Sequence, residues 1–154
     1  MNKISKKKIY GVVICYNSEP VIKDLYERID QENFDKIYFF DDNSTDNSYE
    51  IAKRFDWSVI KNQTNLGHGG NLKKAIKTAF TDGADYVLEI HADNQYNPNL
   101  ITKAKEFIDQ DYALITGSRF INKNPHKEEG MPFLRYFSNI VMSNFTRKTL
   151  SIEL

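Results

Sequence analysis

Short apolar runs alternate with helix-spaced apolar stripes along the first 120 residues, and this alternation restricts the fold more than any other feature. The runs that read as strands cover residues 9–15, 36–41, 57–60, 86–90 and 112–116. Apolar stripes with helical spacing follow Pro20, Asp46, the glycine-rich segment 65–71 and Pro98. Strands that alternate with helices favour a mostly parallel sheet with helices on both faces. We therefore predict an α/β fold with a five-stranded sheet.

Composition narrows the class of protein. With 154 residues, of which 40% are hydrophobic, the chain fits one globular domain. Lys plus Arg equals Asp plus Glu at 21 each, so we expect no nucleic-acid partner. Cys15 has no second cysteine to pair with, which fits a reducing compartment, and we expect it to be a buried strand residue. No apolar run approaches the roughly 18 residues of a membrane span. These features predict a cytoplasmic chain.

Polar side chains gather where the run at 86–90 stops. His91, Asp93, Asn94 and Gln95 follow it directly. In open α/β sheets, ligands bind beyond the carboxyl ends of the strands, so this cluster is a candidate site. The alternative is a polar loop that only caps a strand.

Two further segments have the chemistry of a ligand site. Asp41 and Asp42 end the second strand, where carboxylates can bind a metal, accept hydrogen bonds from a base or ribose, or act as general bases. The segment 65–71 includes Gly67, Gly69 and Gly70, and glycines let a backbone approach a ligand closely. Its spacing matches neither the phosphate-loop pattern nor the dinucleotide fingerprint. We predict that it is a loop.

Five motifs in order resemble those of one family. They are Val-Val-Ile-Cys-Tyr-Asn at 12–17 with Glu19, Asp-Asp-Asn-Ser-Thr-Asp at 41–46, Asn-Leu-Gly-His-Gly-Gly at 65–70, His-Ala-Asp-Asn-Gln at 91–95 with Pro98, and Gly-Ser-Arg at 117–119. Together they resemble the family-2 glycosyltransferases of GT-A fold, and in particular the dolichyl- and undecaprenyl-phosphate sugar synthases. The resemblance implies a Rossmann-like nucleotide-sugar-binding core over residues 9–119 of a single catalytic domain, residues 1–154.

The resemblance also implies roles for individual residues. Tyr16 and Glu19 would border the nucleobase, and Asp42 or, as the alternative, Asp41 would hydrogen-bond the base or the ribose. Gly67, Gly69 and Gly70 would lie against the nucleotide. Asp93 would meet a diphosphate-bound Mn²⁺ or Mg²⁺, with Gln95 and His91 as further metal residues. Arg119 would be a charge clamp on phosphate, because a guanidinium fork suits phosphate oxygens.

The implied reaction is an inverting displacement that moves a sugar from a UDP- or GDP-sugar to a lipid phosphate or a glycan. A phosphate acceptor arrives ionised and needs no strong general base. This chain has His91 where the family has the first Asp of Asp-x-Asp, and Ser18 where many members have Glu. It also ends earlier than family members, as a shortened form would. A binding module without turnover is therefore the alternative. A sugar nucleotidyltransferase is set aside, because this chain has no glycine- and arginine-rich loop for a triphosphate after its first strand.

The last segment differs from the rest. Residues 131–150 predict an amphipathic, somewhat basic helix, from the apolar spacing of Phe133, Phe137 and Val141. It can cover a core, or it can act as a lid or face a membrane. Two further partners stay open. The chain can contact the inner face of a membrane peripherally, and it can pair with a second copy of itself as a homodimer.

Overall fold

A computed structural model describes residues 6–93, 97–108, 110, 112–117 and 132–150, without the side chains at positions 147 and 150. The chain divides into two compact units, residues 1–113 and 114–154. The prediction of one catalytic domain over residues 1–154 remains a prediction. Gln95 and Arg119, predicted as metal and clamp residues, lie outside the described residues.

The first unit is built on a four-stranded sheet. Its strands are β1 (Ile9–Cys15), β2 (Lys36–Asp41), β3 (Ser58–Lys61) and β4 (Tyr86–His91). They lie in the order β3-β2-β1-β4, and every neighbouring pair is parallel. In register, Cys15 pairs with Asp41, and Ile14 with His91, so the carboxyl ends of β4, β1 and β2 lie at one edge. The predicted mostly parallel α/β fold is confirmed.

Helices cover both faces of this sheet. The helices of the first unit are α1 (Glu19–Arg28), α2 (Ser48–Ala52), α3 (Gly67–Thr81) and α4 (Ile101–Ile108). On one face, Ala75 and Ala79 of α3 pack with Val12 and Phe40. On the other, Trp57 stacks on Phe39 and meets Tyr26 of α1 edge to face. Small residues on α3 let the helix lie close to the strands, which fixes the position of its first turn.

Two sequence predictions about strands and loops were wrong. Residues 112–117 form no strand, and Tyr112 and Leu114 are exposed. An apolar run forms a strand only where a neighbouring strand accepts its hydrogen bonds, and the described sheet consists of β3, β2, β1 and β4 alone. The glycine-rich segment is also not wholly a loop. Helix α3 begins at Gly67, and the side chain of Asn65 accepts a hydrogen bond from the Gly67 N–H.

The second unit has one described helix, α5 (Phe133–Leu150). This confirms the predicted helix. Several of its large apolar side chains are exposed, namely Phe133, Leu134, Phe137, Val141, Met142 and Phe145. Among the helices that the structure describes, none combines the length and the apolar character needed to span a bilayer.

Candidate functional site at the carboxyl ends of the strands

The loops after β1 and β2 are joined by side-chain hydrogen bonds. Asn17 has a φ of 51°, a left-handed conformation that Asn tolerates, and its N–H donates to Ser44 Oγ at 2.9 Å. Its Oδ1 accepts from the Thr45 N–H at 2.9 Å. The Ser18 N–H donates to Ser48 Oγ at 2.9 Å. These bonds hold the two loops as one platform at the edge of the sheet.

Glu19 completes this connection. Its backbone N–H donates to Asp46 Oδ2 at 3.0 Å, and its carboxylate accepts from the backbone N–H of Asn47 at 3.0 Å and from the Asn47 side-chain amide. The carboxylate predicted to border a nucleobase is therefore occupied in holding the start of α2. Tyr16, the other residue predicted there, is 52% exposed and leaves its ring available on the platform surface.

Hydrogen bonds also shift the pKa of Asp46. Desolvation is the largest single influence and acts to raise this pKa. Hydrogen bonds from the Ser48 hydroxyl and from the N–H groups of Glu19 and Ser48 outweigh it, so the pKa of Asp46 lies below its usual value. Asp46 is thus an ionised, hydrogen-bonded part of the platform.

Asp41 lies beneath the platform. It is fully buried, and its Oδ2 accepts from the Ser44 N–H at 3.0 Å and lies 3.7 Å from Lys61 Nζ. Its Oδ1 is also buried and makes no hydrogen bond with any described residue. Burial also raises the pKa of the Cys15 thiol, and the nearby Asp41 charge adds to the rise. Cys15 is therefore a buried neutral thiol, as its place in the strand predicts.

Asp42 ties the end of β2 to the start of α3. Its Oδ1 accepts from Asn62 Nδ2 and from the Leu66 N–H, both at 2.8 Å. Asn62 also donates to Asn71 Oδ1 at 2.9 Å, and Asn71 donates to the Phe40 carbonyl at 3.0 Å. We call Asp42, Asn62 and Asn71 the buried polar network. It fixes where the glycine-rich turn stands relative to the strand ends.

The glycine-rich turn is open on one side. Gly67 has a φ of 71°, which favours glycine, and a Cβ atom at Gly67 or Gly69 would meet no atom within 4 Å. A Cβ atom at Gly70 would come within 2.9 Å of Leu66 Cβ, so this glycine is required by packing. The open side leaves room for a ligand beside the first turn of α3, whose N–H groups favour anions.

The end of β4 carries a cluster that the sequence analysis did not assemble. Glu89 and His91 are two residues apart on β4 and so point to the same face, the face that α3 covers. His91 Nε2 lies 3.0 Å and His68 Nε2 lies 3.5 Å from Glu89 Oε1. His68 and Glu89 were missed because 21 positions separate them, although the alternation in β4 could have linked Glu89 to His91. Asp93 follows two residues later and is exposed.

The chain is similar to known proteins over most of its length. A family model described as "Glycosyl transferase family 2" matches residues 11–151. The UDP-N-acetylglucosamine--dolichyl-phosphate N-acetylglucosaminyltransferase of Methanococcus voltae is 30% identical over 93% of this chain and 63% of its own length. The dolichol-phosphate mannosyltransferase of Pyrococcus furiosus is 26% identical over 83% of this chain and 37% of its own. The chain thus spans less than two thirds of these relatives.

A solved structure has a similar fold. S. aureus TarS 1–349 in complex with UDP-GlcNAc superposes with a TM-score of 0.56 at 23% identity. The match covers 75% of this chain and 38% of the TarS 1–349 chain. At this identity the likeness concerns the fold alone.

Proposed function

The chain belongs to glycosyl transferase family 2, and we propose that it binds a nucleotide-diphosphate sugar at the carboxyl ends of β1, β2 and β4 and transfers the sugar to an acceptor. The observation that carries the proposal is the convergence of three features at one edge of the sheet. These are the platform formed by the loops after β1 and β2, the glycine-rich turn, and the polar end of β4. Ligands of open α/β sheets bind at such an edge.

The nucleoside part would lie on the platform. Tyr16 offers an exposed ring for a base. The Oδ1 atom of Asp41 is buried and receives no hydrogen bond from the residues that the structure describes. The Oδ1 atom of Asp42 accepts hydrogen bonds within the buried polar network. Asp42 would therefore hold the glycine-rich turn in place as well as contact the ligand. The open side of Gly67 and Gly69 would leave space for the diphosphate.

A divalent metal fits the end of β4 by the chemistry of its donors. Asp93 offers carboxylate oxygens, which Mg²⁺ and Mn²⁺ prefer, and His91 offers an imidazole, which suits Mn²⁺ better. A metal there would neutralise charge on the leaving diphosphate. Asp93 would hold it, with Gln95 and His91 nearby, and Arg119 would contact phosphate.

The relatives point to a class of acceptor. The names of two of them specify dolichyl or dolichol phosphate, and we propose a polyprenyl phosphate as acceptor here. Its ionised oxygen would attack the anomeric carbon from the side opposite the diphosphate, with inversion and without a strong general base. A glycan hydroxyl is the alternative acceptor and would require such a base.

The experiment separates binding from turnover. UDP, GDP and their sugars are titrated into the chain by calorimetry with Mn²⁺, Mg²⁺ or chelator, and sugar transfer to a polyprenyl phosphate is then followed with the donor that binds. Metal-dependent binding of one nucleotide class together with transfer supports the proposal. Failure of every nucleotide to bind would contradict it.

A binding module without turnover is the second candidate. The observation that favours it is the histidine at position 91, since its imidazole lies 3.0 Å from Glu89 and replaces a carboxylate of the family motif. Tight donor binding without transfer to a polyprenyl phosphate or to a glycan would select this candidate over the transferase.

A further inference from the structure

Three side chains from two elements converge beside the glycine-rich turn. His68 is the second residue of α3, whereas Glu89 and His91 belong to β4. One ligand atom from each lies within 4.8 Å of the other two. The imidazole rings of His68 and His91 stack with centroids 5.2 Å apart. We call these residues the His68 cluster.

The spacing of the donor atoms is close to that of a metal site. Two ligand atoms of a tetrahedral zinc ion lie about 3.3 Å apart when each is about 2.0–2.2 Å from the ion. Glu89 Oε1 lies 3.0 Å from His91 Nε2 and 3.5 Å from His68 Nε2, which brackets that spacing. The imidazole ligand atoms of His68 and His91 lie within 4.8 Å of each other. The His68 side chain is 58% exposed, so it has room to rotate into the geometry that an ion requires.

The two imidazoles of the His68 cluster face the same carboxylate. Both Nε2 atoms face a single carboxylate oxygen, so each imidazole can donate a proton to it or share a cation with it. A metal ion bound at that point would replace these protons and satisfy all three groups at once. The side chains of Glu89 and His91 are each 34% exposed, so an ion can reach them from solvent.

We propose that His68, Glu89 and His91 bind a divalent transition-metal ion of the zinc class. Two imidazoles and one carboxylate are a ligand set of zinc sites that keep a fourth position open. Imidazole suits zinc, cobalt and nickel, whereas Mg²⁺ prefers oxygen, so the site discriminates against Mg²⁺. The open space beside Gly67 and Gly69 gives the fourth position to water or to another small ligand.

This site differs from the metal proposed for the transferase reaction. It shares His91 with that site, but its other two ligands differ: no motif of the resemblance includes Glu89, and the resemblance gives His68 no metal role. It also needs no nucleotide. A bound ion would also cross-link the first turn of α3 to the end of β4. Metal alone should therefore stabilise the fold, because it binds the native arrangement and not the unfolded chain.

The test uses the full chain, stripped of metal with a chelator and free of nucleotide. Zn²⁺ is titrated by calorimetry, and Co²⁺ by the intense visible absorption of four-coordinate cobalt. We expect one ion per chain and a raised melting temperature with Zn²⁺. His68→Ala and Glu89→Gln should each weaken Zn²⁺ binding at least about tenfold, the loss that even a supporting partner of a metal causes. Mg²⁺ in excess should not displace the ion.

His126→Ala is the matched control, since it removes the third histidine of the chain and should leave Zn²⁺ affinity unchanged. Melting without metal checks that each variant folds. Equal Zn²⁺ affinity in His68→Ala, Glu89→Gln and the parent would overturn the proposal, and so would a parent that binds no Zn²⁺. If Asp93→Ala loses Zn²⁺ affinity but His68→Ala keeps it, the ion binds at Asp93, and this result would overturn the proposal as well. The nucleotide titrations test the proposed function separately, because these Zn²⁺ experiments contain no nucleotide.

Discussion

The carboxyl ends of β1 and β2 differ from the carboxyl end of β4, although all three lie at one edge of the same sheet. Beyond β1 and β2, polar side chains are largely buried and hydrogen-bonded to one another, as in the buried polar network. At the end of β4, Glu89, His91 and Asp93 are partly or wholly exposed. In the first region the polar groups hold the loops in position, whereas in the second region they are accessible to solvent.

This difference shows what carboxylates at strand ends can do. A buried polar group must be hydrogen-bonded, and once it is, its removal leaves partners unsatisfied at a cost in stability. An exposed carboxylate can be removed at little cost and remains available for a ligand. We therefore expect substitutions beyond β2 to act mainly on folding and substitutions beyond β4 mainly on binding.

The largest effect on folding is expected at Asn71. Asn71→Ala leaves the Phe40 carbonyl and one proton of the Asn62 amide without partners in a fully buried place. Each unsatisfied group costs about 1–3 kcal/mol, so we expect the free energy of unfolding to fall by about 3 kcal/mol. Urea denaturation measures it, with Lys73→Ala on the exposed side of the same helix as control. A loss as small as that of the control would remove the distinction between the two regions.

The buried polar network also shows what sequence reasoning can and cannot reach. The bounds of β1 and β2 were predicted correctly, because each consists largely of apolar residues that are buried on both faces of the sheet. That Asp42 would stand at a strand end was equally clear. Its hydrogen bonds were not, because Asn62 and Leu66 reach it only after β3 and α3 have packed.

The same reason accounts for the other differences. An apolar run at 112–116 has the pattern of a strand, but pattern alone does not supply a neighbouring strand. Glycines at 67, 69 and 70 predicted a loop, but helix α3 begins at Gly67, and the Gly67 N–H donates to the side chain of Asn65 just before it. His68 and Glu89 meet only because α3 lies across β4. Local pattern thus predicted the elements, and long-range packing decided the contacts of the site.

The next largest effect is expected beyond β4, and it concerns binding. Asp93→Ala should weaken metal-dependent donor binding at least about tenfold, because the proposed metal would lose its carboxylate. The free energy of unfolding should change by no more than about 0.5 kcal/mol, since Asp93 is exposed. Calorimetry with and without Mn²⁺ measures the first, and urea denaturation the second. Unchanged metal-dependent affinity would show that Asp93 does not meet the metal.

A smaller effect on folding is expected at Glu19, where the platform reaches the surface. Glu19→Ala removes the carboxylate that accepts from the backbone N–H and the side chain of Asn47. For a partly exposed charged acceptor we expect a loss of about 1 kcal/mol in the free energy of unfolding. Glu27→Ala removes the same charge from an exposed position of α1 and is the control. If both variants lose equally, the platform contacts of Glu19 add nothing to stability.

The smallest effect is the contribution of Asp46, in the platform, to the dependence of folding on pH. Asp46 has a pKa below its ordinary value of 3.8 in the folded chain, because hydrogen bonds from Ser48 and Glu19 outweigh the effect of desolvation. A lowered carboxyl pKa means that the unfolded chain binds the proton more readily. The contribution of Asp46 to stability is therefore present above pH 3.8 and is lost as the pH falls through the lower folded-state value. Asp46→Asn should flatten the acid side of the stability curve, measured by urea denaturation at a series of pH values. An acid-side slope that is the same in Asp46→Asn and in the parent would mean that the hydrogen bonds of Asp46 add no pH-dependent stability.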